Sequence, residues 1–321
     1  MVREIRLRRV GGRPGAALAL ALALAAWTPR PAASAPKREL PGQAVELKTK
    51  DGWTLAARYH PAKPAHLTFI LLHQAGGRKE EWRHLAWAMA RQGFGTMALD
   101  MRGHGESRNP PPGGETDWRR FRKDRRGYNE WSNMALDVEA AVGYLAGRGV
   151  PKDSIALGGA DVGSSVALRY AAVHPEAPLV FLLSPGMSYQ EVLTVNAMRA
   201  YGPRPILLVV GADDKRSVPE TAILFAFARR SAGDDKALEW TVERGHGARM
   251  LALVANRDPV SHESLVSRLL AWASNPRGAG GPPAVAVSSG AATSAPAVVP
   301  SSAPAVVPAG PSPDSQPAVI Q

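Results

Sequence analysis

A carboxylate stands at the one turn of this 321-residue chain whose pattern is built to present a nucleophile. The run Gly159-Ala160-Asp161-Val162-Gly163 has the form of a nucleophile elbow, Gly-x-Ser-x-Gly, with Asp161 in place of the serine. That exchange alters the chemistry open to the site. A hydroxyl activated by histidine attacks acyl carbon, whereas a carboxylate works by displacement at saturated carbon, because its attack on an ester would give a high-energy anhydride. The turn needs a strand before it and a helix after it. Ser154-Ile155-Ala156-Leu157 is a short apolar strand, and residues 162–173, rich in Ala, Val and Leu and ended by His174-Pro175, read as the helix. Between them, Gly159 and Gly163 let backbones approach that a Cβ would hold apart.

Other segments must carry this turn. Residues 44–49 and 53–59 flank Asp51-Gly52, a strong hairpin signal. Residues 67–72 form a buried strand that opens into His73-Gln74-Ala75-Gly76-Gly77, and residues 81–91 read as a helix. Thr96-Met97-Ala98-Leu99 is the next strand and runs into Asp100-Met101-Arg102-Gly103-His104-Gly105-Glu106-Ser107. Beyond the elbow, strands are expected at 179–183, 205–210 and 238–242, with helices at 192–200 and 219–230.

The order of these segments resembles the α/β-hydrolase superfamily over roughly residues 44–274, most specifically at Asp100 to Ser107, which has the form D-x-R-G-x-G-x-S. The resemblance implies an α/β fold with a mostly parallel central sheet, helices on both faces and no large cap domain. It gives Asp100 and Arg102 the task of holding the turn beside the elbow, and makes His104 a turn residue rather than a catalytic base. The superfamily places its triad acid after a strand such as 205–210, usually three residues beyond a glycine like Gly211, which favours Asp214 over Asp213. Its catalytic histidine follows the last strand, where Gly245-His246-Gly247 lies. The chain order Asp161, Asp214, His246 is the superfamily's order. The same resemblance implies an oxyanion hole made by the Val162 N–H and a loop N–H at Gln74.

Three functional readings follow, with hydrolysis of a small-molecule substrate the expected class. The first resembles haloalkane dehalogenases and epoxide hydrolases: Asp161 displaces a leaving group, and water activated by His246 hydrolyses the resulting ester while Asp214 orients the imidazole. The chain departs from those families in having His73-Gln74-Ala75-Gly76 where they carry His-Gly-x-Pro, and Val162 where dehalogenases carry a halide-binding tryptophan. Epoxide hydrolases also place two ring-opening tyrosines on a large cap; here residues 184–204 hold Tyr189 and Tyr201, for which packing is the simpler role. The second reading resembles the small capless dienelactone hydrolase and esterase branch, with the serine lost and catalysis lost with it. Ser164 and Ser165 do not restore it, because they fall inside the helix. The third is a binding module of the cell envelope.

The ends of the chain read differently from its middle. Arg3, Arg6, Arg8, Arg9 and Arg13 precede an apolar run at residues 16–27, and Ala33-Ser34-Ala35 supplies small residues for cleavage, the form of a signal peptide over residues 1–35. An exported, periplasmic or secreted protein is expected, with no integral membrane domain after cleavage and an uncleaved anchor as the alternative. Residues 275–321 are rich in Pro, Ala, Ser, Gly and Val, with a repeated Ser-Ala-Pro-Ala-Val-Val-Pro, and are expected to form an extended tail. The hydrolase domain is then residues 36–274.

Of the net charge of +11, five units lie in residues 1–35, which hold six Arg and one Glu, so six remain for the rest. Arg119, Arg120, Arg122, Lys123, Arg125 and Arg126 cluster in a long connection, residues 108–129, suited to an anionic envelope component; nucleic acid is not an expected partner. Cysteine is absent, which removes thiol nucleophiles, disulfides and thiolate metal sites. The eight histidines show no ligand spacing, so neither metal nor cofactor is expected.

Overall fold

The computed structural model describes residues 39–121 and 129–276. The expected signal segment, four of the six clustered basic residues and all but Asn275 and Pro276 of the expected tail lie outside the described residues.

Two strands, β1 (Gln43–Lys48) and β2 (Thr54–His60), pair antiparallel around the Asp51-Gly52 turn. The next strands, β3 (Thr68–Leu72) and β4 (Gly95–Leu99), are buried at every residue, as are β5 (Ile155–Ala160), β6 (Val180–Leu183) and a later strand, β9 (Ile206–Gly211). Continuous apolar runs of this kind belong to a parallel sheet covered on both faces. With β10 (Ala237–Val242), they form one eight-stranded sheet in the order β1-β2-β4-β3-β5-β6-β9-β10. It is parallel from β4 to β10 and antiparallel only where β2 meets β1 and β4.

Alternation along each strand sorts the core into two layers. Ile70 and Leu72 point into a cluster with Val138, Ala141 and Leu145 of α2 (Ala135–Gly147), Val166 of α3 (Val162–Val173) and Leu224 of α5 (Ser217–Ala232). Phe69 and Leu71 point the other way, into Leu85 and Met89 of α1 (Arg83–Gln92) and Leu269 and Trp272 of α6 (Leu265–Ser274). Helices therefore cover both faces. The helix α2 lies outside the elements expected from the sequence, although Val138, Ala141, Val142 and Leu145 have helical spacing.

Between β6 and β9 lie only a two-strand hairpin, β7 (Ser188–Tyr189) with β8 (Val192–Leu193), and the six-residue α4 (Val195–Ala200), so no large cap is present. The helix expected from 192 begins three residues later. Gln190 and Glu191 both take positive φ, 50° and 63°, which closes a tight hairpin in place of a first helical turn. Among the described residues, no helix is long and apolar enough to cross a membrane.

The turn after β4 is pinned from below by charge. Arg102, fully buried, donates to Asp137 Oδ1 at 2.8 Å, to Asp51 Oδ2 at 2.7 Å and to Glu130 Oε1 at 2.9 Å. Asp100 accepts from the Lys79 main-chain N–H and from its Nζ, both at 2.7 Å. Through these bonds the β1–β2 turn, the loop after β3 and the helix α2 are held to one another.

At the elbow itself, α3 packs so closely on β3 that a Cβ at Gly163 would lie 2.3 Å from the Leu72 carbonyl oxygen and 2.5 Å from that of His73. Both are main-chain atoms of a central strand and its exit. Gly163→Ala is therefore expected to cost about 3 kcal/mol of stability, read from urea unfolding, and a loss below about 1 kcal/mol would show that α3 can slide.

Candidate active site

Asp161 occupies the sharp turn between β5 and α3 with φ 53° and ψ −120°, a conformation that costs a non-glycine residue about 1–3 kcal/mol. The strain is compensated locally. Its main-chain N–H donates to the Leu183 carbonyl at 3.0 Å, and its carbonyl accepts from the Ser164 N–H at 3.0 Å and the Ser164 hydroxyl at 2.5 Å. Ser164 is thus committed to the elbow backbone, while Ser165 is buried within α3.

Three side chains distant in sequence meet here. His246 Nε2 lies 2.9 Å from Asp161 Oδ2, and His246 Nδ1 lies 2.6 Å from Asp214 Oδ2. The other oxygen of Asp161 accepts the Val162 N–H at the N-terminus of α3. Asp214, rather than Asp213, faces the ring. Asp213 instead accepts the Gly245 N–H at 2.7 Å and so braces the turn that presents the histidine. On the other side of that turn the Gly247 N–H donates to Ser184 Oγ at 2.9 Å.

The two tyrosines separate. Tyr201 is buried and donates to the Pro205 carbonyl at 2.8 Å, a packing role. Tyr189 stands edge-on to the His246 ring, centroids 6.3 Å apart, with its hydroxyl 2.7 Å from Ser217 Oγ. It forms a wall of the site. Nothing in the residue pattern separates the two, because Tyr189 precedes the helix expected at 192–200 and is carried inward by a hairpin whose second strand, Val192–Leu193, falls at the start of that span.

His104 takes no part in this cluster. Its ring is buried, Nδ1 donates to the Arg102 carbonyl at 2.9 Å, and it stacks on Trp118 with centroids 5.6 Å apart. Burial pushes its pKa down to about 3, so it is neutral. Gln74, expected to supply an oxyanion N–H, directs that N–H toward the Glu81 carboxyl, and its side-chain Oε1 is buried beside Gly247. Of the basic loop, Arg119 lies over the Trp118 ring and pairs with Asp117. Among the described residues, no group of three or more His, Cys, Asp or Glu is placed to hold a metal ion.

The electrostatics of the cluster follow from its geometry. The hydrogen bond to Asp161 raises the His246 pKa to about 9; burial opposes this, and Asp214 adds to it. Burial raises the Asp214 carboxyl, but its bonds with His246 and Ser217 outweigh that and hold it below the ordinary range. At neutral pH the resting site is an imidazolium between two carboxylates. Because the folded-state pKa of His246 lies above its ordinary value near 6.5, the stabilisation is complete below that pH and fades as pH rises toward 9. Asp161→Asn is expected to bring the His246 pKa down by about one unit or more in an NMR titration. An unchanged value would mean that Asp214 alone holds the proton.

Comparisons with known proteins agree with this topology. A family model described as alpha/beta hydrolase fold matches residues 68–193. An esterase of Pyrococcus furiosus, Pf2001, superposes with a TM-score of 0.51 at 18% identity, covering 66% of this chain and 85% of its own. A dienelactone hydrolase from Anabaena variabilis gives 0.51 at 16% identity over 73% of this chain and 97% of its own. A bacterial membrane phospholipase A gives 0.53 at 15% identity over 74% and 87%. A search of curated protein sequences finds no match. The matched family model, the sheet order and the elbow between β5 and α3 together identify the architecture of this chain as the α/β-hydrolase fold.

Proposed function

We propose that the protein is a hydrolase in which Asp161 is the covalent nucleophile on a small-molecule substrate, with His246 as the base of the second step and Asp214 as its orienting partner. The division of labour between the two oxygens of Asp161 carries this reading. Oδ2 faces His246, and Oδ1 already rests on the Val162 N–H at a helix N-terminus.

In the first step Oδ2 forms a bond to a saturated carbon as the leaving group departs with its electron pair. The ester that results carries no charge, so the strongest cause of the raised His246 pKa is gone. His246 then releases its Nε2 proton to solvent and becomes a base, held through Nδ1 by Asp214. Water deprotonated by Nε2 attacks the Asp161 carboxyl carbon. The oxyanion forms on Oδ1, where the Val162 N–H stabilises it; on collapse the departing oxygen takes the proton His246 removed from water, releasing the alcohol, and the Asp161 acid passes its own proton to His246, which restores the resting pair.

The test is an intact-mass and peptide-mapping experiment on the purified chain with His246→Gln, incubated with alkyl bromides and epoxides. An adduct on the Asp161 peptide supports the proposal; a panel that leaves that peptide unmodified contradicts it.

One observation favours a second reading, a homologue without turnover. Both ring nitrogens of His246 are engaged by carboxylates, so the resting site contains no free base. Under that reading Asp161→Ser restores a nucleophile beside His246 and yields weak hydrolysis of activated esters, while the wild type acts on no alkyl substrate.

A further inference from the structure

We propose that Glu81 is a second working carboxyl of this site, the acid that protonates an oxygen leaving group, and that the substrate is accordingly cleaved at a bond between oxygen and saturated carbon, with an epoxide as the simplest member. The inference rests on Asp161 as nucleophile.

Glu81 lies in a 3-10 turn, Lys79–Trp82, just beyond the loop that follows β3. Its carboxyl folds back over that loop: a Cβ at Gly77 would lie 2.6 Å from each of its oxygens, so the bare Cα of Gly77 is what admits it. Oε2 is closed off from solvent and has no hydrogen-bond partner among the described residues. The charged groups that act on it are Asp161 from the elbow, Arg249 from the 3-10 turn just after His246, and Arg78 from the adjoining loop, together with the Gln74 N–H. The Gln74 N–H meets this carboxyl, yet burial leaves Oε2 without a partner among the described residues, within reach of the Asp161 charge.

Its surroundings also set its proton. Burial raises the Glu81 pKa; the Gln74 N–H and the two arginines oppose this, and the Asp161 charge adds to it, giving about 7. A nucleophilic carboxyl beside one that burial keeps partly protonated near neutral pH forms a nucleophile and acid pair. Such an acid is superfluous for a halide, which leaves as a stable anion. An alkoxide must be protonated as it leaves.

The step balances as follows. Asp161 Oδ2 bonds to the substrate carbon while the carbon–oxygen bond breaks; the departing oxygen takes the Glu81 proton, leaving an alcohol, an Asp161 ester and a Glu81 carboxylate. Hydrolysis of the ester as above then frees Asp161, and Glu81 regains a proton from solvent. For an epoxide the net product is a diol formed with one water.

The experiment compares an epoxide and an alkyl bromide of the same carbon skeleton on the wild type and on Glu81→Gln, with thermal unfolding to check that the variant folds. The expected result is that the ratio of epoxide to bromide turnover falls by about 10²-fold or more in the variant. In the wild type, epoxide opening should decline relative to bromide as pH rises through 7, a readout that stands even if the variant does not fold. Equal losses on both substrates, or a pH dependence shared by both, would overturn the role of Glu81. So would a wild type that opens no epoxide in a broad panel. If bromides nevertheless alkylate Asp161 in the His246→Gln chain, the nucleophile survives and only the acid is lost; if neither substrate labels Asp161, both fall.

Discussion

Asp161→Ala is expected to abolish turnover, by about 10⁴-fold or more, while leaving the fold in place. The carboxylate supplies the attacking atom, the charge that keeps His246 protonated and the oxygen that will bear the oxyanion, so its loss removes a unit and not one contact. The structural penalty is smaller. Alanine forfeits the bond to the Val162 N–H, a loss of about 1 kcal/mol for a helix cap, and stays in the same strained turn. Kinetics and urea unfolding on one preparation separate the two effects. Activity that survived the change would place the nucleophile elsewhere in the chain.

The second large effect lies under the site, at Arg102. Its guanidinium is buried among Asp137, Asp51 and Glu130, and Asp137 is itself fully buried. Even with Arg102 opposing it, burial lifts the Asp137 carboxyl to about 6. Arg102→Ala leaves that carboxyl without its counter-charge, and removing one partner from such a buried set costs about 3–5 kcal/mol. The sign with pH is fixed. Asp137 without Arg102 holds its proton more tightly in the folded state, so the stability of the variant falls further behind wild type as pH rises from 5 to 8. A loss of unfolding free energy in urea of less than about 1 kcal/mol, or one that is equal across this range, would show that the carboxylates find other partners.

The parts of the site that could be read in the sequence are those where backbone geometry dictates residue type at consecutive positions. The elbow needs Gly163 because a Cβ there would strike the carbonyls of Leu72 and His73. The turn from Asp100 to Ser107 carries its own bonding partners within eight residues, including Asp100 with the Glu106 N–H and the Ser107 hydroxyl with the Asp100 carbonyl. Asp214 and His246 are singled out by the resemblance to the superfamily, which places an acid and a histidine after strands such as these. Glu81 had no such signal: it reaches the site only because the loop after β3 turns it back over Gly77, a conformation that no residue spacing encodes. Tyr189 was hidden in the same way, by a hairpin whose turn residues, Gln190 and Glu191, are not the usual choices for positive φ. The helix α2 had the spacing, but its contribution, Asp137 beneath Arg102, appears only once that helix is packed against the turn.

The central claim, a covalent ester on Asp161, is tested most directly by a single turnover in ¹⁸O-labelled water with enzyme in excess over an epoxide. Because water attacks the carboxyl carbon of Asp161 and not the substrate, the first-turnover product should carry oxygen from Asp161 and no label, while the peptide containing Asp161 gains ¹⁸O. Label in the product at the first turnover, with that peptide unlabelled, would mean that water attacks the substrate directly and that Asp161 is not the nucleophile.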